Sequence, residues 1–262
     1  MYSIEHQKYL KKIKFKNFLI RFTQILIIII FIAIWQFLAD KNLINTFIFS
    51  SPKNIVECLI NLHNEGNLYN HIGITIWETL VSFILGTLIG IIIASVMWWN
   101  KFLAKVIDPY LTILNSLPKV ALGPIIIIWA GAGMRSIILM ALLISVVVTT
   151  LSIYQGFNAT DPIKIKLMES LNANKKQIYF RLLLPSSFPE IINALKINIS
   201  MCLIGVIMGE LLVSKEGIGY LIMYGSQVFN LDLVITGIFI LCVVATFMYY
   251  LIVLMEKKLV KN

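Results

Sequence analysis

The sequence predicts an all-α membrane protein: six transmembrane helices, both termini cytoplasmic, and a long cytoplasmic loop between helices 4 and 5. Three observations predict it. Of the 262 residues, 59% are apolar and only 13% charged, more apolar surface than a soluble domain of this length buries. Four runs carry no charged residue: Phe22–Ala39, Leu80–Trp98, Ile137–Tyr154 and Leu233–Met255. Each approaches or exceeds the length of about 20 helical residues that crosses a hydrocarbon core of ~30 Å. Basic residues, finally, are distributed unevenly between the connecting segments.

Strand alternation is absent, so helices are the spanning structure. Two further spans are irregular. Leu111–Ala130 holds Pro118, Lys119, Gly123 and Pro124, and Ile191–Val213 holds Lys196 and Glu210. With six spans, sixteen of the 22 basic residues fall on one side. They sit in the tail from Lys8 to Arg21, at Lys101 and Lys105, between Lys164 and Arg181, and from Lys257 onward. Lys41, Lys53, Arg135 and Lys215 remain on the other. The bias places the basic side in the cytoplasm. The net charge of +9 is thus a signature of topology. Four scattered basic segments form no groove for nucleic acid. The first apolar run is too long for a signal peptide, and no small-residue cleavage site follows at Ala39–Asp40–Lys41, so an uncleaved helix is expected.

Chemistry-bearing motifs are missing. Cys58, Cys202 and Cys242 have neither disulfide nor metal spacing, and the three histidines are scattered, so no metal site is expected. The sequence contains no P-loop and no nucleophile elbow, so neither a catalytic site nor a cofactor in this chain is expected.

Within the spans, small residues stand out. Ser82, Gly86, Gly90 and Ala94 recur every four residues in span two, and Gly205 and Gly209 do so in span five. That spacing predicts a close helix contact, either within the chain or between two chains. Asn115, Ser116 and Pro118 in span three, with Asn198, Ser200 and Glu210 in span five, are candidate walls of a polar pathway. Glu210 has an equal alternative reading, a position at the outer end near water. Ser51–Pro52 predicts a capped helix whose face is Ile55, Val56, Leu59, Ile60 and Leu62, more a packing helix than a docking one.

The segment Asp161–Pro189 is the longest cytoplasmic loop and the most informative. Asp161–Pro162 starts a helix, and Ile165, Met168 and Leu171 follow at helical spacing. Asn172–Ala173–Asn174 interrupts it, since Asn tolerates a left-handed backbone. Asn174 caps a second helix through Ile178, Tyr179 and Leu182, which Leu184–Pro185 ends. The result is a helix–turn–helix platform with an apolar stripe that fits a partner's groove.

These residues resemble the cytoplasmic loop of bacterial ABC-importer permeases. Counting back from Leu184–Pro185, Lys166 stands at the family's Glu, Leu167 and Met168 at its two Ala, and Asn172 at its Gly. Lys166 reverses a charge; Asn for Gly keeps access to positive φ. Asp108–Pro109, Leu117–Pro118, Leu122, Pro124 and Trp129 resemble the third span of the nitrate, sulfonate and taurine branch. Gly209-Glu210-Leu211-Leu212 with Gly217-Ile218-Gly219-Tyr220 resembles the segment after its fifth span. Glu78 departs from that branch, which often carries Arg there. The resemblance runs from Trp35 to Leu259.

It implies a multi-pass permease of the bacterial cell membrane. A basic tail, first helix and outer loop would occupy 1–70, the permease core 71–256 and a tail 257–262. Residues 161–185 would be the coupling-helix loop to a separate ATPase subunit, with Asp161, Pro162, Lys166, Met168, Leu171, Asn172, Ala173, Asn174, Leu184 and Pro185 as its contact and shaping residues. ATP would be bound by that partner. A second copy of the permease and an extracytoplasmic binding protein would complete the importer. The substrate expected from the branch is a small anion or organic solute; a vitamin-precursor permease of the same family is the alternative. An ion-coupled secondary transporter would place carboxylates at the bilayer midplane, where only Glu210 and Glu78, both near span ends, are available. A membrane enzyme would need a clustered nucleophile, base or metal site.

Overall fold

Apolar helices whose lipid-facing sides need no partner leave one packing problem, how three of them approach closely enough to form a core. The computed structural model describes residues 4–259, with side chains described from Lys12 to Lys257. In chain order the helices are α1 (Ile4–Asp40), α2 (Thr46–Phe49), α3 (Pro52–Asn64), α4 (Leu68–Trp99), α5 (Lys101–Ser116), α6 (Gly123–Ala130) and α7 (Met134–Asn158). Then come α8 (Pro162–Ser170), α9 (Lys175–Ile178), α10 (Leu184–Ser186), α11 (Phe188–Val213), α12 (Ile218–Gln227) and α13 (Leu231–Leu259). No strand occurs among the described residues. Five helices, α1, α4, α7, α11 and α13, are long and apolar enough to cross a bilayer, and the pair α5–α6 is so only when its two bent halves are taken together.

The core is α7 held between α4 and α11. Both small-residue ladders face α7, so the close contact foreseen from their spacing lies within the chain. A Cβ added at Gly86 would stand 2.7 Å from Ser145 Oγ, and one at Gly90 2.7 Å from Thr149 Cγ2. On the other side, a Cβ at Gly209 would stand 2.9 Å from Ile137 Cα, and one at Gly205 would collide with the backbone of Ala141. Ser82 and Ala94 complete the α4 ladder and are fully buried. Dispersion between closely approaching backbones replaces the hydrophobic effect, which gives no net drive between helices in lipid. α13 closes the bundle against α11 and α12, and Lys196 of α11 pairs with Glu256 of α13 at 2.7 Å. The apolar run of α1 is uncovered by the rest of the chain. Near its C-terminal end Gln36 accepts a hydrogen bond from Lys53 N.

Three expectations need correction. Span two is longer than Leu80–Trp98: α4 begins at Leu68, and His71, Thr75 and Glu78 on one face of its first turns are buried by protein. The expected span Leu111–Ala130 is not one helix. α5 starts at Lys101, stops at Leu117–Pro118, and a 3₁₀ turn leads into α6 at a bend of 90°. Pro118 lacks the N–H that would continue the helix, and Leu117 before it takes an extended backbone (ψ 140°). Leu184–Pro185 does not end the second loop helix either. Tyr179–Leu183 widens into a π-turn, Leu184 N donates to Tyr179 O, and helix continues to Ser186. The wide turn accommodates Pro185 without a break.

The helix at Ser51–Pro52 forms as expected, with Ser51 Oγ accepting from Asn54 N. It packs on α13, where Asp232 accepts from Ser50 Oγ at 2.5 Å and from Asn54 Nδ2 at 3.3 Å.

Candidate functional site

The loop between α7 and α11 is built by its own caps. Asp161 Oδ1 accepts from Ile163 N at 2.8 Å, and Pro162 opens α8. At the far end Asn172 takes φ 58°. Its N–H reaches Glu169 O at 2.9 Å, and Ala173 N reaches Met168 O at 3.0 Å. This is the paired hydrogen-bond pattern that ends a helix with one left-handed residue, with Met168 and Ala173 as the apolar pair beside it. Asn174 then forms a capping box with Gln177: Asn174 Oδ1 accepts from Gln177 N at 2.9 Å, and Gln177 Oε1 from Asn174 N at 2.8 Å. The position where the family has Gly therefore requires positive φ, and Asn meets that requirement.

The exposed stripe of α8 is rotated from the expected one. Ile163, Leu167 and Leu171, spaced four apart, are 74%, 59% and 70% exposed, whereas Ile165 and Met168 turn partly inward. Lys166 is exposed and has no ion-pair partner among the described residues. Leu184 is half-buried and Pro185 exposed.

The opposite side of the loop is fastened to the bundle, through Tyr179 of the expected second helix and through Lys175 and Ser187 beside it. Tyr179 is buried, with its hydroxyl 2.6 Å from Ser95 Oγ of α4, and its ring meets Trp98, Trp99, Phe157 and Phe180. Lys175 Nζ donates to Trp99 O. Ser187 Oγ donates to Gly156 O of α7 at 3.2 Å. These contacts tie the loop to the ends of α4 and α7. The Trp98–Trp99 pair at the end of an apolar run was the available signal.

A second constellation lies at the other end of α4. Gly217, with φ 102°, turns the chain into α12, and the first N–H groups of that helix point at side chains from α4 and α11. Gly217 N donates to His71 Nδ1 at 3.0 Å, Ile218 N to Thr75 Oγ1 at 2.8 Å, and Gly219 N to Glu210 Oε2 at 2.6 Å. Thr75 Oγ1 in turn donates to Glu210 Oε1 at 2.6 Å. The N–H groups a helix start leaves free are thus satisfied internally, and its positive dipole end faces a carboxyl group. A Cβ at Gly217 would collide with that carboxyl group, and one at Gly219 would come within 2.7 Å of Glu210 Cβ. This explains in physical terms the Gly-Glu-Leu-Leu and Gly-Ile-Gly-Tyr segments. Glu78 is buried beside Glu210, and one of its oxygens has no hydrogen-bond partner. His71, Thr75 and Glu78 share one helix face, a periodicity readable in the sequence but unused there.

The six pathway candidates do not converge. Asn115, Ser116 and Pro118 are exposed at the α5–α6 bend, where Lys119 Nζ donates to Asn115 Oδ1 at 3.2 Å. Asn198 is fully buried and ties α11 to α4, its Nδ2 donating to Thr87 Oγ1 at 2.8 Å. Ser200 opens onto an apolar groove between α11 and α13. Glu210 is 1% exposed and engaged with α12, so within this chain it meets neither the water nor the opening that its two readings required.

Comparison with known proteins places this architecture. Residues 86–261 match the family described as binding-protein-dependent transport system inner membrane component. A probable ABC transporter permease protein of Haemophilus influenzae is 29% identical, over 86% of this chain and 91% of its own length. The aliphatic sulfonates transport permease protein SsuC of Bacillus subtilis is 27% identical over 88% of this chain and 84% of its own. The formylaminopyrimidine transport permease protein ThiX of Halalkalibacterium halodurans is 27% identical over 74% and 77%. Among solved structures, a chain of the MetNI methionine ABC transporter in an inward facing conformation superposes with a TM-score of 0.65 at 19% identity, covering 74% of this chain and 94% of that one. The bundle, the capped loop and the matched segment agree: the chain belongs to the binding-protein-dependent transport system inner membrane component family, as a multi-pass permease of a type I ABC importer.

Proposed function

We propose that residues 161–185 receive a separate ATPase subunit and that this chain, paired with a second copy, forms the translocation pathway for a small organic anion. The observation that carries the proposal is the two-sided loop. One side presents Ile163, Leu167 and Leu171 to solvent, and the other is bolted to α4 and α7 through Tyr179, Lys175 and Ser187. An apolar stripe of that spacing suits a groove on a partner, and rigid attachment transmits the partner's movement into the bundle. In this reading ATP binds the partner, the basic side of the chain faces the cytoplasm, and an extracytoplasmic binding protein delivers the solute. The exposed α5–α6 bend with Asn115, Ser116 and Pro118 lines the pathway against the second copy.

Similarity to the sulfonate permease over most of the chain supports an organic anion. Equal identity to the formylaminopyrimidine permease supports a second reading, a small heterocycle. A ligand screen on the cognate binding protein separates the two.

Leu171→Asp tests the loop. Burying a leucine contributes about 2 kcal/mol, so its loss lowers affinity for the ATPase subunit roughly tenfold or more. Insertion and thermal unfolding should be unchanged while ATP-driven uptake falls. Uptake at the wild-type rate would place the docking surface elsewhere.

A further inference from the structure

Behind the loop, where α4 gives way to α5, lies a cavity of about 580 Å³, within the roughly 300–1,000 Å³ of small-molecule sites. Its walls divide by chemistry. Lys101, Lys105 and Lys175 line it against a single carboxylate, Glu169, while Met97, Trp98, Phe157 and Ile178 form its apolar side. Met97, Phe157 and Ile178 are buried, and the three lysines are exposed. None of these lysines has an ion-pair partner among the described residues. Lys175 donates to Trp99 O and stands 5.8 Å from the Trp98 ring, leaving two of its three N–H groups available. Lys101 and Lys105 make no side-chain hydrogen bond among the described residues.

We propose that this cavity binds the phosphodiester headgroup of an anionic phospholipid from the leaflet on the basic side of the bundle. The cavity lies at the depth where the apolar run of α4 ends in Trp98–Trp99 and the first lysines begin, the position of a headgroup layer. Uncompensated cations beside an apolar wall match an anion joined to acyl chains; a soluble phosphate has no use for that wall. Phe102, next to Lys101, is 73% exposed, as a lipid-facing side chain is. A lipid seated here touches α4, α5, α7 and the loop at once, so it stiffens the attachment of the loop. The inference rests on the membrane placement of the chain and not on the identity of the solute or ATPase.

The test is thermal unfolding of the full chain in nanodiscs of phosphatidylglycerol and of phosphatidylcholine, with bound lipid counted by native mass spectrometry. Wild type should unfold at higher temperature in phosphatidylglycerol and retain it, since a ligand that binds only the folded state stabilises it. K101Q/K105Q and K101Q/K105Q/K175Q should lose both the shift and the retained lipid. The double variant matters because Lys175 also holds Trp99, so the triple variant can weaken the fold. K164Q/K176Q, which removes two lysines outside the cavity, should keep the wild-type shift. Equal unfolding temperatures in the two lipids, or a shift that survives in both cavity variants, would overturn the proposal. Loss of the shift in K164Q/K176Q would reduce it to general surface charge. A shift produced in phosphatidylcholine by millimolar glycerol 3-phosphate would assign the site to a soluble anion instead.

Discussion

Glu210→Ala removes the acceptor that holds the start of α12. Two hydrogen bonds are lost, from Thr75 Oγ1 and from Gly219 N, each 2.6 Å from the carboxyl group; Thr75 Oγ1 keeps His71 O at 3.2 Å as an acceptor, so Gly219 N is the donor left without a partner. Both sit in a region where Thr75, Glu210 and Ile218 are at most 1% exposed, so water does not replace the lost acceptor. An orphaned buried donor costs about 1–3 kcal/mol, and polar contacts between membrane helices run nearer ~0.6 kcal/mol each. One orphaned donor and one lost contact give a loss on the order of 2–4 kcal/mol, with about 2–3 kcal/mol as the central expectation. At roughly 2–4 °C per kcal/mol for a chain of this size, thermal unfolding in nanodiscs should fall by on the order of 5–10 °C. Glu210→Gln retains one carbonyl oxygen and should lose about half as much. Thr75→Val, nearly isosteric, strands Ile218 N and one carboxyl oxygen, and its effect should be strongly non-additive with that of Glu210→Gln. Hydrogen exchange adds a local readout, since the amides of Ile218 and Gly219 should exchange faster in each variant. Equal unfolding temperatures for Glu210→Ala and wild type, with unchanged exchange at those amides, would refute the clamp.

Two further outcomes are expected. Gly205→Ala forces a methyl group into the Ala141 backbone and should cost about 1–3 kcal/mol by overpacking, whereas Gly73→Ala, with nothing within 4 Å of its added Cβ, should be neutral or gain up to about 1 kcal/mol of helix propensity; thermal unfolding of the pair checks both. Asn172→Gly should leave the loop intact, whereas Asn172→Val should cost about 1–2 kcal/mol at φ 58°, seen as faster proteolysis between α8 and α9.

The local grammar of the loop was legible because each of its signals is a property of one or two neighbouring residues. Asp161–Pro162, Asn172 and Asn174 do what their side chains dictate, and the structure places them as N-cap, left-handed turn and capping box. The exposed stripe is rotated about the helix axis from the one that spacing alone suggests, because spacing does not say which side of Ile165 and Met168 the bundle covers. Tyr179 reads in the sequence only as a member of the second loop helix; it becomes a wedge once Trp98, Phe157 and Ser95 stand around it.

By itself the sequence determined that this chain is helical and crosses a membrane, where its loops cap and turn, and which helix faces carry small residues. Apolar length, proline, and the φ preferences of Asn and Gly act locally and need no partner. Only the tertiary structure decided that both small-residue ladders close on α7, that α5 and α6 meet at a 90° bend, and that Glu210 is tied to α12 through Thr75 and Gly219. Those outcomes depend on which surfaces meet. A carboxyl group reads the same in a sequence whether it will face water, a pathway or the first turn of the next helix.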